Sequence, residues 1–300
     1  MNHAIVTGAT GFVGFHLTQE LLSRGVEVTA LCRADSPNRS RLPSGVRTVS
    51  DLRSLPNADV FFHLAWDGAS GHGRGDAVMQ TANARFCLEA LQAASGCGCA
   101  KFVALGTVYE RLVPQILASE RFGGSDFYVL SKQYASAMAD KLAQKIGIGF
   151  VCCAVCHPIG RYIKPEQLMA YTVSGLLSGN SPSFGPAATF FDIVAVEDVA
   201  LGLYLAGERG KRRGYYIGSG APMRLREYLE RTREILGTPT PLLIGEREDD
   251  GLRFEPGWFD TSQIAEDTGY VPRASFESAV MNTADWLNGE GRVVIDYGRE

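Results

Sequence analysis

Short apolar runs alternate with amphipathic stretches along the first half of the chain. "HAIVTG" is followed by a helical pattern over Phe15–Arg24 that Gly25 ends, and then by the runs "EVTALCR", "VRTVSD" and "DVFFHLAW". A second helical pattern covers Gln80–Ala94 and a third covers Tyr128–Gln144, separated by "KFVALGT" and followed by "GFVCCAVC". Brief apolar runs bounded by turn formers read as buried strands, and apolar residues three and four apart read as helices facing a core. Their alternation predicts an α/β fold, a doubly wound parallel sheet with helices on both faces. The second half is less regular. "GNSPSFGP" reads as a loop, "FFDIVAVEDVALGLYLA" as a strand entering a helix, "GYYIGSG" as a strand, "LREYLERTREIL" as a helix and "PTPLLIGEREDDG" as a linker. The division predicts a dinucleotide-type domain over 1–160 that also receives parts of 190–217. A smaller mixed α/β lobe would come from 161–189 and 218–300.

Between the first run and the first helix stands "TGATGFVG", with Gly8, Gly11 and Gly14 spaced three apart. Glycine there permits a tight turn and close approach of a ligand to the backbone. A helix N-terminus that follows such a turn presents N–H groups suited to a pyrophosphate. Gly8 and Gly11 would serve the turn and the phosphates, and Gly14 would let the helix pack on the strand.

In the third helical pattern Tyr128 and Lys132 are four residues apart, which puts phenol and ammonium on one helix face. A neighbouring ammonium favours the phenolate and can also hold a ribose hydroxyl, so the pair suits carbonyl/alcohol interconversion. Thr107 ends the strand "KFVALGT", and the C-terminal ends of strands are where open α/β sheets place ligands.

Composition narrows the setting. With 300 residues, 45% of them apolar, and a net charge of −4, the chain offers no broad basic surface, so nucleic acid is not expected as a partner. No apolar run reaches the ~20 residues of a membrane helix, and the chain enters its first strand without a charged leader. A cytoplasmic protein is the expectation. The seven cysteines sit inside apolar runs. Cys152, Cys153 and Cys156 share one strand with His157 beside them, but adjacent strand residues face opposite ways and cannot converge on one metal. Buried thiols in a reducing compartment, and no metal site, are expected.

Taken in order, these motifs resemble the extended short-chain dehydrogenase/reductases of the nucleotide-sugar epimerase/dehydratase type, over nearly the whole chain. "TGATGFVG" is similar to that family's cofactor glycines, "DVFFHLAW" to its Asp-x-x-x-x-His-x-Ala strand, and Asn83 to the Asn of the next helix. Thr107, Tyr128 and Lys132 match its catalytic triad. "CHPIGRY", "FFDIVAVEDVA", "YYIGSGAPMRLREY" and "FDTSQIAEDTGYVP" match later segments. The resemblance implies a Rossmann-type sheet with a substrate lobe and a nicotinamide dinucleotide as cofactor. Cofactor contacts would come from Gly8, Thr10, Gly11, Phe12, Val13, Gly14, Arg33, Asp51, Leu52, Leu64, Ala65, Asn83, Tyr128, Lys132 and His157. Trp66, Thr107, Tyr109 and His157 would meet a nucleotide-diphosphate sugar, and two subunits would pair through the helices carrying Asn83 and Tyr128. Phe86, Leu88, Tyr134, Met138 and Leu142 supply apolar surface for that homodimer.

Departures from the family pattern sharpen the chemistry. Val108 and Tyr109 stand where family dehydratases carry Asp-Glu, and Tyr109 stands where epimerase-reductases of 4-keto sugars carry a cysteine. No second acid/base pair is evident, with Glu110 and His157 keeping that question open. Anchoring on "VYE" would put Leu105 in the place of Thr107, but Leu105 has no hydroxyl. The loop "HLAWDGASGHGR" resembles that of reductases acting on NDP-4-keto-6-deoxy sugars. At the end of the second strand, NAD-using members carry an acid, whereas this chain has Cys32 followed by Arg33, and Asp35 is too far along. A guanidinium suits a 2′-phosphate, so NADPH is favoured, with NAD as the alternative.

The remaining readings stay two-sided. Trp66 packs a sheet edge or lines a sugar pocket, and His157 is a bonded core histidine or a ligand contact. Asp51 touches adenine or caps a turn. Arg247 and Arg253 bind a diphosphate or belong to a solvated loop. The expectation is an NADPH-dependent reductase of an NDP-4-keto-6-deoxyhexose. The alternatives are an NAD-retaining nucleotide-sugar epimerase and a non-catalytic NADP(H)-sensing protein.

Overall fold

Strands covered on both faces need apolar residues at every position, and the runs read above supply them. In β1 (His3–Thr7), Ala4 and Val6 enter one core while Ile5 enters another, as the two-residue period of a strand requires. The computed structural model describes residues 1–289. From β1 the chain runs through α1 (Phe12–Ser23), β2 (Glu27–Leu31), β3 (Arg47–Val49), β4 (Val60–His63) and α2 (Ala77–Gly96). Next come β5 (Lys101–Thr107), α3 (Val113–Ala118), α4 (Asp126–Ile146), β6 (Gly149–Val155) and β7 (His157–Ile159). It continues with α5 (Leu168–Ser178), β8 (Ser183–Phe184), β9 (Phe190–Phe191), β10 (Ile193–Ala195), α6 (Val196–Arg209) and β11 (Gly214–Tyr216). The last elements are β12 (Met223–Arg224), α7 (Leu225–Ile235), β13 (Leu243–Ile244), α8 (Ser262–Thr268) and α9 (Phe276–Leu287).

Seven strands form the central sheet in the order β11-β6-β5-β4-β1-β2-β3. Every neighbouring pair is parallel. The chain winds outward from β1 to β3, then returns to the other side of β1 with β4. That reversal opens a crevice at the C-terminal ends of β1 and β4, the usual ligand position of a doubly wound sheet.

Helices α1 and α6 cover one face, where Leu17, Leu21, Val199 and Leu203 pack with Val6 and Phe62. Helices α2 and α4 cover the other, setting Cys87, Leu91, Ala135 and Ala139 against Ile5, Phe61 and Phe102. Phe61 and Phe102 stack at 5.2 Å across neighbouring strands and are fully buried. Each contributes about 1.5–3 kcal/mol by leaving water. A third core joins α5, α7 and α9 around Met169, Tyr228, Leu229 and Val280, beside the two-stranded sheets β10-β7, β12-β9 and β13-β8.

Several boundaries differ from the sequence pattern. The first helix starts at Phe12, and α2 starts at Ala77 because Asp76 caps it, accepting from the Met79 N–H at 2.9 Å. Helix α5 lies in the stretch 161–189, where the pattern gave no helix, and α9 closes the described chain. The linker "PTPLLIGEREDDG" carries β13, which pairs with β8. Residues 290–300, assigned to the lobe, lie outside the described residues. All seven cysteines are free. Cys153 packs into one core and Cys152 against the opposite one, and burial pushes the Cys152 thiol up to about 12. Among the described residues no helix is long and apolar enough to cross a membrane.

Candidate active site

A cavity of about 1110 Å³ follows the C-terminal ends of the central strands, from Asp51 beyond β3 to Leu168 at the start of α5. All the cofactor and substrate residues expected from the sequence line it. Its floor is the glycine turn. Gly8 has φ +72°, and a Cβ on it would come within 2.8 Å of the Leu64 and Ala65 backbone at the end of β4. A Cβ on Gly14 would overlap the Gly8 carbonyl oxygen, so α1 starts directly against the turn. Much of the glycine requirement is therefore the chain's approach to itself. Gly11 differs. It is the N-cap of α1 without a side-chain cap, and the first N–H groups of the helix are left for an anion. Thr7, unread in the sequence, ties the floor together. Its hydroxyl meets His63 Nδ1 at 3.0 Å and accepts from the N–H groups of Leu64 and Ala65 at 3.1 and 3.2 Å.

At the end beside β2, Cys32, Arg33, Ser36 and Asn38 line the wall. Arg33 is exposed, and its Nη1 lies 3.3 Å from Asp67 Oδ2. Asp51 does both things considered for it: it lines the cavity and accepts from the Arg53 N–H at 2.8 Å to cap a short turn. Asn83 is spent on the loop after β4, accepting from Asp67 N and donating to Asp67 O at 2.9 and 2.7 Å.

At the opposite end, Thr107, Tyr128 and Lys132 converge. Lys132 is buried, donates to the Leu105 carbonyl at 2.9 Å, and sits 3.8 Å from the centre of the Trp66 ring. Trp66 meets Tyr128 edge-on at 6.4 Å and donates Nε1–H to Gln80 Oε1 at 2.7 Å. It therefore lines the pocket and supports the lysine. Thr107 accepts from the Tyr109 N–H at 3.3 Å, and its hydroxyl lies against the Tyr128 phenol. Leu105, the alternative to Thr107, contributes its carbonyl oxygen instead.

One electrostatic expectation needs correction. Burial raises the pKa of Tyr128, and the cation that opposes this is Arg74, not Lys132. The Arg74 guanidinium stands 4.5 Å from the Tyr128 ring centre, while the Lys132 ammonium points to a carbonyl and an indole, its own pKa lowered by burial. A protonated phenol is the resting form. Arg74 was missed because it lies in a loop without periodicity; the signal was a lone cation in the glycine-rich stretch "GHGRG".

The other candidates divide. Tyr109 lines the cavity between Arg74 and Phe254, and burial raises its phenol. His157 accepts from the Met169 N–H through Nε2 at 3.4 Å, and burial holds it down at about 4, so it is neutral at pH 7. Glu110 is absent from the cavity wall: its Oε1 accepts from the Thr107 N–H at 2.9 Å, and the carboxyl acts as a cap. Arg247 holds Ser183 and Tyr171, and Arg253 pairs with Asp249, both outside the cavity wall.

A glycine turn feeding a helix N-terminus, with tyrosine, lysine and threonine at the far end of one crevice, defines a nicotinamide-dinucleotide enzyme of the doubly wound class. The chain belongs to the NAD dependent epimerase/dehydratase family, whose model matches residues 4–218. It is similar to a dTDP-glucose 4,6-dehydratase of Streptomyces griseus, 25% identical over 95% of this chain and 94% of that protein. Over 48% of this chain and 52% of the relative it is 30% identical to a dTDP-4-dehydro-6-deoxy-D-allose reductase of Streptomyces sp.. Among solved structures it is similar to the UDP-glucose 4-epimerase of Thermotoga maritima, with TM-score 0.79, 21% identity, and coverage of 96% and 99% of the two chains.

Proposed function

We propose that the protein is an NADPH-dependent reductase of a nucleotide-activated keto-sugar, of the NDP-4-keto-6-deoxyhexose kind. The observation that carries this reading is one cavity lined both by the glycine turn and by Thr107, Tyr128 and Lys132, with Val108 and Tyr109 where a dehydratase needs carboxyl groups. The 30% identity to a keto-sugar reductase supports the same substrate class.

The turn fits a dinucleotide because Gly11 leaves α1 uncapped by any side chain. Its diphosphate would lie on the first N–H groups of α1, near Thr10, Phe12 and Val13. Asp51 and Leu52 would meet the adenine, and Arg33 a 2′-phosphate. Leu64, Ala65, Asn83 and His157 would border the nicotinamide end. When bound, the nicotinamide supplies a hydride to the ketone carbon. Tyr128 gives its proton to the oxygen that becomes the alcohol, and its raised pKa keeps that proton in place until negative charge develops there. Thr107 donates a hydrogen bond to the same oxygen. Lys132, anchored by Leu105, holds the nicotinamide ribose.

Of the residues expected to form the homodimer, Tyr134 and Met138 on α4 are exposed, whereas Phe86 lines the cavity and Leu88 and Leu142 pack against the core; we propose that the homodimer contact runs over the exposed faces of α2 and α4. The free cysteines suit a reducing cytoplasm.

The test is incubation with NADPH and a panel of NDP-4-keto-6-deoxy sugars, following loss of NADPH absorbance and identifying the product by NMR. Stoichiometric conversion to the hydroxy sugar is expected. Interconversion of sugar epimers without net NADPH consumption would replace this reading with an epimerase.

A further inference from the structure

Arg74 is a half-buried cation that no carboxylate among the described residues pairs with. Its Nε donates to the Ala69 carbonyl at 2.8 Å and its Nη1 reaches Ser125 Oγ at 3.5 Å. The cavity's other cations are placed differently: Arg33 faces Asp67, Lys132 is turned onto Leu105, and Lys164 is exposed. A guanidinium has five N–H donors, and those of Arg74 that remain lack a protein partner at the cavity wall.

The position is fixed in advance. Gln80 Nε2 donates to the carbonyls of Gly73 and Gly68 at 2.8 and 3.2 Å. Gly68 and Gly73 touch backbone to backbone, and a Cβ on Gly73 would come within 2.6 Å of Gly68 Cα. The guanidinium also lies over two phenol rings, its carbon 4.5 Å from the centre of Tyr128 and 5.4 Å from that of Tyr109. A preorganised planar donor set beside a proton donor matches carboxylate or phosphate oxygens.

We propose that Arg74 binds an anionic oxygen group of the substrate and holds it beside Tyr128. The inference rests on reading the cavity as a keto-sugar site, and it names the side chain that answers the substrate's negative charge beside Tyr128, which that reading leaves unassigned. The anion is the phosphate attached to the sugar or a carboxylate on the sugar ring, both of which present coplanar or tripod oxygens to the same donors.

The test is calorimetric titration of the NADP+-saturated protein with UDP, UDP-glucose and UDP-glucuronate, and with inorganic pyrophosphate and free glucuronate. Saturation with NADP+ keeps the glycine turn from competing for the anions. Arg74→Gln should weaken the ligands that carry the recognised group about 10- to 100-fold, the range for a charged hydrogen bond. NADP+ affinity should stay unchanged, and unfolding should remain cooperative with a midpoint lowered only modestly by the lost ring contacts. Loss shared by UDP, UDP-glucose and pyrophosphate assigns the phosphate; loss confined to the two glucuronates assigns the carboxylate; each supports the proposal. Equal affinities in parent and variant for every probe, or no binding of any probe by the parent, overturn it. Should Arg74→Gln fail to bind NADP+, Arg74→Lys takes its place, keeping charge while losing the planar fork, with a loss of about 3- to 10-fold expected and no loss overturning the proposal. Anion binding that depends on Arg74 in a protein that reduces no keto-sugar would leave this inference standing and remove only the reductase reading.

Discussion

The two ends of the cavity are built by different means. The glycine-turn end is made of backbone. Gly8 abuts the Leu64–Ala65 peptide, Gly14 abuts the Gly8 carbonyl, and the donors offered to a ligand are the N–H groups of α1. The Tyr128 end is made of side chains that hold one another, with Trp66 under Lys132, Gln80 under Trp66 and Arg74 over Tyr128. A backbone site tolerates little change and accepts the phosphate core shared by all dinucleotides. A side-chain site can be altered one residue at a time, so selectivity for a substrate resides there.

That contrast makes separable predictions. Tyr128→Phe should give the largest effect, a loss of about 10²–10⁴-fold in kcat with cofactor affinity unchanged, because only the proton donor is removed. Steady-state kinetics together with a cofactor titration checks this, and a variant as fast as the parent would move the acid elsewhere. At the backbone end, Gly14→Ala should destabilise the fold by about 1–3 kcal/mol, the usual cost of overpacking, and weaken both cofactors together. Thermal unfolding in the absence of cofactor is the readout, and an unshifted midpoint would show that the turn yields more easily than its contacts suggest.

Arg33→Asp acts on a side chain at the cofactor end. NADPH should weaken by about 10- to 100-fold while NADH changes far less, because a carboxylate then faces the 2′-phosphate. Equal losses for the two would sink the cofactor assignment. The smallest effect is expected from Gln80→Ala, which frees the Gly68–Gly73 loop and removes the partner of the Trp66 indole. KM should rise about 3- to 10-fold with cofactor affinity retained, the part of the lost neutral hydrogen bonding that is felt at the substrate. A change in cofactor affinity as large as that in KM would mean the two ends are coupled.

The same contrast explains what the sequence disclosed. The glycine turn, the strand and helix order of the first half and the Tyr128/Lys132 spacing are local, and periodicity within a few residues is enough to find them. The place of Thr107 in the cavity was legible because it closes a strand, and strand ends border the crevice of a doubly wound sheet. Arg74 and Gln80 were not found, since their roles depend on a loop folding back on α2 across Gly68 and Gly73. The true partner of Lys132 is a backbone oxygen, which no side-chain pattern encodes. Helix α5 carries Met169, Val173 and Leu176 at helical spacing, but it is short and runs into a glycine- and proline-rich loop, so its periodicity does not stand out in the sequence.

Arg33 follows the strand on one side of β1, and Asp67 follows the strand on the other, so their ion pair spans the width of β1 at the mouth of the turn. Both side chains are exposed, and such pairs are worth about 0–1 kcal/mol. On the NADPH reading proposed above, the cofactor-free protein carries its own weak competitor for the 2′-phosphate. A phosphorylated dinucleotide exchanges one anionic partner of Arg33 for another, whereas an unphosphorylated one that parts the pair restores nothing. Rising ionic strength weakens the internal pair as well as the attraction of the incoming phosphate. The salt dependence of NADPH capture should therefore be shallower in this protein than in its Asp67→Asn variant, where no carboxylate has to be displaced.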